Sequence, residues 1–200
     1  FATPVAIKNI ELNNEQLKEF ALTLQVSQGS ITSHRYGYQS NNIDLNSENL
    51  QPLISEIKTA SKEYCTAVKI KKELTLDNMW FNIINYGGFN IARKQPGCIL
   101  SGVYYIDVLE TQGDLYMDNP NTVEYDWNKD VSIYEDISDN AIATNNWSFV
   151  PKQGDLYLFP SWLLHQVYPF RSEGERRSMA FNIHLRSKVP GTDVGKGIDK

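Results

Sequence analysis

The chain has 200 residues, of which 41% are hydrophobic, and its formal net charge is −5. This length can bury one sizeable core but is short for two ordinary domains, so we expect a single domain over residues 1–200. The acidic, mixed-sign charge argues against a nucleic-acid patch, and no apolar run approaches the roughly 20 residues of a membrane span. Two cysteines, Cys65 and Cys98, are too few for a disulfide framework, so we expect a soluble cytoplasmic protein in a reducing compartment.

Residues 1–75 are predicted to form a strand followed by two helices. The apolar, β-branched opening predicts a first strand that ends near Ile7. Asn13 is a candidate N-cap with Gln16 three residues later, and apolar residues then follow at helical spacing. A second helical stripe runs from Leu50 to Val68 and should pack on the outer face of a sheet. The Ser-, Asn- and Gly-rich residues 28–46 between the helices are predicted to be a loop, with His34 in solvent.

From Met79 onward the apolar residues recur every second position, which is typical of strands. Tyr86-Gly87-Gly88 should end the first of them. Six or seven short antiparallel strands after a helical layer predict a mostly β jelly roll that is buttressed by two helices, with the β-core over residues 79–187. The acidic residues 119–146 are predicted to be a lid or substrate-side insertion, and residues 190–200 a flexible tail.

Two residues of the C-terminal part carry candidate chemistry, namely His165 and Arg176. Imidazole is a good ligand of iron-like divalent metals, and a buried guanidinium is the usual two-pronged partner of a carboxylate. On neighbouring antiparallel strands the two side chains can point into one cavity. Strand alternation places Arg176 and Ser178 on one face and Arg177 on the other, so Arg176 is the preferred acid-binding residue. A hydrogen-bonded core histidine is the simpler alternative for His165.

The ordered motifs Phe159-Pro160-Ser161-Trp162-Leu163, His165, Arg176-x-Ser178 and Phe181-Asn182 resemble the C-terminal half of the iron(II)/2-oxoglutarate-dependent oxygenases. More narrowly, they resemble a phage and bacterial group within that superfamily. Further matching segments are residues 1–5, 37–40, 80–85, 100–105 and 113–120, so the resemblance covers nearly the whole chain. It implies a double-stranded β-helix of the cupin-like type, with 2-oxoglutarate and Fe(II) as cofactors.

The resemblance also implies a set of site residues. His165 matches the distal iron ligand, Arg176 and Ser178 match the residues that hold the far carboxylate of 2-oxoglutarate, and Tyr105 matches a strand residue that contacts the same cosubstrate. Asn82 and Asn182 are expected as pocket polar groups, although an Asn that fixes a strand end is the plainer role for each.

The first two metal-ligand positions do not match the resemblance. The His-x-His positions of the group fall on Arg93 and Gln95, and neither residue is a credible iron ligand, because a guanidinium stays charged and an amide is a weak neutral donor. We predict that Arg93 points toward His165 and fills the metal position.

Three interpretations of this substitution remain open. In the first, a metal ligand is supplied by Asp107, Asp118 or an acid of the insertion. In the second, the protein is a metal-free descendant in which Arg93 pairs with the carboxylate of an organic acid. In the third, the pocket is vestigial and the chain is an interaction module. If the protein is an enzyme, the resemblance implies a dioxygenase with an unassigned prime substrate, which is a small molecule or a polymer. The oligomeric state is open.

A jelly roll can also serve as a carbohydrate-binding or capsid-type module. Exposed Trp127 and Trp147 on one face would favour that function. A cupin-like isomerase would need further metal or acid-base residues than the sequence offers.

Overall fold

The computed structural model describes residues 3–25, 29, 34–109, 113–120 and 146–186 of the chain. Phe1 and Ala2, residues 121–145 of the predicted insertion with Trp127, and the predicted tail over residues 190–200 lie outside this described part. Two helices and nine strands occur within it. In chain order they are β1 (Ala6–Asn9), α1 (Asn14–Gln25), β2 (His34–Gln39), α2 (Gln51–Ala67), β3 (Leu74–Arg93), β4 (Leu100–Asp107), β5 (Leu115–Asp118), β6 (Asn146–Phe149), β7 (Asp155–Pro160), β8 (His165–Val167) and β9 (Arg176–Leu185).

The helices follow the capping and spacing signals of the sequence. The side-chain Oδ1 of Asn13 accepts a hydrogen bond of 3.3 Å from the backbone N–H of Gln16, which caps α1 as predicted. A short 3-10 turn at Glu48–Leu50 leads into α2, where Pro52 lies in the first turn and costs no backbone hydrogen bond. The apolar stripe of α2 is buried, so both helices cover one face of the sheet.

The strands form one curled sheet in the order β1-β7-β4-β9-β3-β8-β5-β6, and β2 also pairs with β3. Alternate residues of the central strands belong to two separate apolar clusters. Phe81 of β3 and Tyr104 of β4 belong to the cluster under the helices, whereas Ile84 and Tyr105 of the same strands belong to the cluster on the inner face of the curl. The predicted mostly β fold with two buttressing helices is confirmed, and the inner face carries the site described below.

Two details of the strand prediction were wrong. Strand β3 does not end at Tyr86-Gly87-Gly88 but continues to Arg93, which gives it a total length of 20 residues. Gly87 has φ = +75°, a backbone angle that glycine adopts without strain, so the strand can continue through this point. Two hydrogen bonds from outside the strand hold the segment: Gly87 N–H donates to Phe170 O at 2.6 Å, and Phe170 N–H donates to Gly88 O at 2.8 Å.

The predicted loop around His34 contains strand β2, which pairs with β3 with His34 opposite Asn90. His34 is buried and is therefore not the solvated residue that the sequence suggested. No helix in the described ranges is long and apolar enough to cross a membrane.

Candidate functional site

A cavity opens on the inner face of the curled sheet, between strands β3, β4, β8 and β9. It contains about 470 Å³ of space free of protein atoms, counted out to its open mouth. Its polar lining residues are Trp80, Asn82, Asn90, Arg93, Gln95, Ser101, Tyr105, His165, Arg176, Ser178 and Asn182. Every residue that the sequence assigned to the site, by motif or by the substituted ligand positions, therefore lies in this one cavity.

Arg176 forms the base of the cavity. Its side chain is 2% exposed, its Nη1 donates to the carbonyl oxygen of Gly113, and its Cζ lies 5.6 Å from the ring centroid of Tyr105. Burial lowers the pKa of Arg176, although no carboxylate contacts it among the described residues. Arg177 faces outward and donates from Nη1 to Asp107 Oδ2 at 2.8 Å, so the alternation argument that chose Arg176 matches the observed geometry.

Ser178, two residues along β9 from Arg176, and Tyr105 on the neighbouring strand β4 continue the same surface. Ser178 lies opposite Asn82 on β3 and opposite Tyr105 on β4, which brings the three polar side chains to one level of the sheet. The Tyr105 ring meets Tyr157 edge to face with centroids 5.7 Å apart. Burial raises the pKa of Tyr105 more than the nearby Arg176 lowers it, so its hydroxyl is neutral and can donate a hydrogen bond.

His165 and Arg93 are direct cross-strand partners of β8 and β3. Directly paired residues point to the same face of a sheet with Cβ atoms about 5 Å apart, so the imidazole and the guanidinium border the same space. His165 is 5% exposed, and its Nδ1 lies 2.9 Å from Leu163 O. Since a carbonyl only accepts, Nδ1 carries the proton and Nε2 keeps its lone pair. Burial and then Arg93 lower the pKa of His165 to about 4, so the ring is neutral at pH 7.

The guanidinium of Arg93 has no counter-ion in the described part of the chain. Its Nη1 is enclosed and makes no hydrogen bond, and burial lowers the pKa of Arg93 to about 10. The group therefore remains charged at neutral pH. Gln95 lines the cavity two residues later and is half-buried, while its backbone N–H donates to Ser161 O at 2.9 Å.

Four polar atoms that border the cavity are buried without a hydrogen-bond partner. They are the donors Trp80 Nε1, Arg93 Nη1 and Arg176 Nε and the acceptor Asn82 Oδ1. Buried polar groups are nearly always hydrogen-bonded in folded proteins, so such a concentration marks a place where a ligand or water completes the structure. Among the described lining residues two carry positive charge and none carries negative charge. The cavity is suited to an anionic ligand with several acceptor atoms.

The donor set does not suit a divalent metal. His165 is the one matched ligand, and within the described ranges no group of three His, Cys, Asp or Glu side chains could hold a metal ion. Asp107 cannot serve, because it lies on the outer side with Arg177 and Lys18, and Asp118 does not line the cavity. A guanidinium beside His165 would repel a cation. Acids of residues 121–145 lie outside the described part.

The other polar predictions have mixed outcomes. Asn182 Oδ1 accepts a hydrogen bond of 2.8 Å from the Ser101 hydroxyl, so its oxygen is satisfied within the protein. Asn82, in contrast, keeps an unpartnered oxygen. His184 lies away from the cavity with Nε2 at 3.2 Å from Cys98 Sγ and 3.4 Å from Asp77 Oδ2.

Sequence reasoning missed three polar lining residues, Trp80, Asn90 and Ser101. Trp80 has the same strand phase as Asn82, and Ser101 has the same phase as Tyr105, so the period of two contained the signal.

Comparison with known proteins gives a consistent picture. A family model described as "Putative 2OG-Fe(II) oxygenase" matches residues 78–182. Solved structures with the same fold include a prolyl-4-hydroxylase from Pseudomonas putida, at 14% identity over 93% of this chain and 95% of that one, with a TM-score of 0.64. A viral collagen prolyl hydroxylase of Paramecium Bursaria Chlorella virus-1, solved as a 2OG complex, has 13% identity over 90% and 94% of the chains and a TM-score of 0.58.

A third similar structure is HygX from Streptomyces hygroscopicus with nickel and 2-oxoglutarate bound, at 10% identity over 92% of this chain and 84% of that one, with a TM-score of 0.60. At these identities the structural likeness concerns the fold, and the predicted jelly roll is confirmed by it. No curated protein sequence matches the chain significantly.

Proposed function

The chain belongs to the 2OG-Fe(II) oxygenase family, and from this premise we propose that it binds a short dicarboxylic acid of the 2-oxoglutarate type without iron. The observation that carries the proposal is the set of unpartnered donors around a cavity whose described lining holds two guanidinium groups and no acid. A dianion with four carboxylate oxygens can satisfy these donors and offset both charges.

Arg176 is the anchor for one carboxylate in this proposal. Its Nη1 is held by Gly113 O and its face by the Tyr105 ring, which leaves Nε free at the base of the cavity. Because the side chain is fixed before the ligand arrives, little conformational entropy is lost on binding. Ser178 lies two residues along the same strand, and Tyr105 lies opposite Ser178 on β4, so both hydroxyls can donate to the same carboxylate.

Arg93 receives the other end of the acid. In the family resemblance this position belongs to a metal ligand, and in this chain it carries a fixed positive charge opposite His165. A guanidinium provides the charge that a metal would supply, and it adds directional N–H donors that match a carboxylate. Binding of the acid would also relieve the cost of burying Nη1 without a partner.

A second candidate is a working dioxygenase of unassigned prime substrate. The observation in its favour is the state of His165, whose Nδ1 is bonded to Leu163 O and whose Nε2 lone pair is free for a metal. This function requires two further iron ligands from residues outside the described part, because the described residues offer no such group.

Calorimetric titration of the metal-stripped protein with 2-oxoglutarate, in the presence of a chelator, tests the proposal. We expect saturable binding that weakens strongly in an Arg93→Met variant, which keeps the length of the side chain but not its charge. The control is Lys94→Met, since Lys94 is the exposed residue that directly follows β3 and does not line the cavity. Absence of binding under chelation, with recovery on adding Fe(II), would overturn the metal-free function and favour the dioxygenase.

A further inference from the structure

The cavity contains hydrogen-bond acceptors as well as donors, and an oxo acid cannot satisfy the acceptors. Asn82 Oδ1 is buried without a donor. His165 has committed its only N–H to Leu163 O, so its Nε2 is a second acceptor. Carboxylate and ketone oxygens also only accept, and they would therefore leave both protein atoms unpaired.

The position of His165 fixes where a donor is needed. His165 and Arg93 are opposite each other in the β8–β3 pairing and face the same cavity. One ligand atom between them would meet a lone pair on the His165 side and an N–H on the Arg93 side, because Arg93 Nη1 is buried and unpaired. An atom that both donates and accepts is required at this point.

A hydroxyl oxygen has this property and a ketone oxygen does not. We propose that the dicarboxylic acid carries a hydroxyl group beside the carboxylate at Arg93, and that this hydroxyl donates to His165 Nε2 and accepts from Arg93 Nη1. This inference rests on the proposed acid-binding function and specifies its ligand class as 2-hydroxy dicarboxylates.

The preference follows from the guanidinium in the place of a metal. A cation bound to Nε2 would use the histidine lone pair and would attract ligand atoms that only accept. Without a cation, the same lone pair repels such atoms and favours a donor. The Arg93 substitution thus changes the chemical class of the preferred ligand while the carboxylate anchor at Arg176 is retained.

Matched ligands of one carbon skeleton test the inference. The metal-stripped full chain is titrated calorimetrically, in the presence of a chelator, with each enantiomer of 2-hydroxyglutarate, with 2-oxoglutarate and with glutarate. We expect one enantiomer of the hydroxy acid to bind about tenfold more tightly than 2-oxoglutarate, since the oxo acid leaves a buried acceptor unpaired. Equal or tighter binding of 2-oxoglutarate would overturn the inference but leave the acid-binding function intact.

The ratio of the affinities for 2-hydroxyglutarate and 2-oxoglutarate, measured in variants, shows which residue causes the preference. His165→Phe removes the acceptor and should bring the ratio of the two affinities to about one, whereas His184→Phe, outside the cavity, should leave it unchanged. If the affinity ratio in His165→Phe is the same as in the unaltered protein, the assigned contact between the ligand hydroxyl and His165 Nε2 is wrong. If His165→Phe fails to fold, the nitrogen-15 resonance of His165 Nε2 in the unaltered protein decides: it should shift with the hydroxy acid and not with glutarate, and no difference between the two would refute the contact. Absence of binding by all the acids would instead defeat the proposed function itself.

Discussion

Arg93 and Arg176 approach the same cavity from different strands, and the described part of the chain gives neither guanidinium a carboxylate partner. Burial of two such charges costs free energy that folding must supply elsewhere. Arg177 is the contrast, because it is the strand neighbour of Arg176 and is paired with Asp107 and Glu175. On β9 the arginine that faces the cavity therefore lacks the carboxylate partners that its outward-facing neighbour has.

Arg176→Lys should weaken binding of the dicarboxylic acid about 10- to 100-fold. Lysine keeps the charge but loses the planar fork that can bond Gly113 O and a carboxylate together. Titration calorimetry with the metal-stripped protein measures the loss. Arg177→Lys is the matched control and should bind like the unaltered protein; a similar loss in both variants would mean that Arg176 acts through general stability.

His165 should make the protein less stable in mild acid. Its pKa is lowered from 6.5 to about 4 in the folded chain, so the folded state binds fewer protons than the unfolded state between these values. The contribution to the unfolding free energy is complete above about pH 6.5 and falls by about 3 kcal/mol as the pH drops to about 4.

Urea unfolding of the ligand-free protein and of His165→Gln across this pH range isolates the effect. His34, whose pKa burial also lowers, is present in both proteins and cancels in the difference. The variant should show the shallower pH dependence, and parallel curves would contradict the assigned state of His165.

At the scale of strands, residue faces were predictable and strand limits were not. Alternation placed Arg176 and Ser178 on one face of β9, because a period of two is a property of any extended backbone. The continuation of β3 past Gly87 depends on hydrogen bonds to Phe170, about 80 residues away in sequence, and the burial of His34 depends on pairing with Asn90. Contacts between residues far apart in the chain cannot be predicted from the local sequence pattern of apolar and turn residues. The position of Arg93 opposite His165 is a consequence of that long strand.

Gly113→Ala should weaken acid binding, because Gly113 precedes β5 and supports Arg176. Gly113 has φ = +90°, and a Cβ there would clash with Arg176 Nη1. The substitution therefore adds backbone strain of about 1–3 kcal/mol and displaces the guanidinium. Chemical unfolding and acid titration measure the two effects.

Gly97→Ala is the matched control for strain alone. Gly97 has φ = +88°, and a Cβ there would meet nothing within 4 Å. Both variants should lose comparable stability, but only Gly113→Ala should lose affinity for the acid. An equal loss of affinity in the two variants would contradict the role given to the Gly113 carbonyl.

For the whole molecule, the resemblance of ordered motifs predicted the family and the fold, and the residues at the motif positions lie in one cavity. Motifs specify which positions face the site, because the fold fixes them. They do not specify the charge balance of the site, which depends on substituted residues such as Arg93. Trp80 and Ser101 lie inside the matching segments 80–85 and 100–105 and have the right strand phase, but the resemblance assigned neither side chain a role in the site.

Ligand binding should stabilise the whole molecule in the absence of metal. A dicarboxylic acid at about 100 times its dissociation constant adds about 2.7 kcal/mol to the unfolding free energy, which corresponds to a rise in Tm of about 5–10 °C for a chain of this size. Thermal unfolding with a chelator present measures it. Butyrate, which has one carboxylate, is the control and should give little change; an equal rise with butyrate would contradict binding between two guanidinium groups.

The central claim is that Arg93 occupies the place of a metal ligand and of the metal. Anaerobic titration with Fe(II) and 2-oxoglutarate tests it most directly, through the visible charge-transfer band of the chelated complex, in the unaltered protein and in an Arg93→His/Gln95→His variant. The account predicts no band in the unaltered protein and a band in the double variant, where three histidines meet. A band in the unaltered protein that disappears in His165→Ala would contradict it and show that residues beyond the described part complete an iron site.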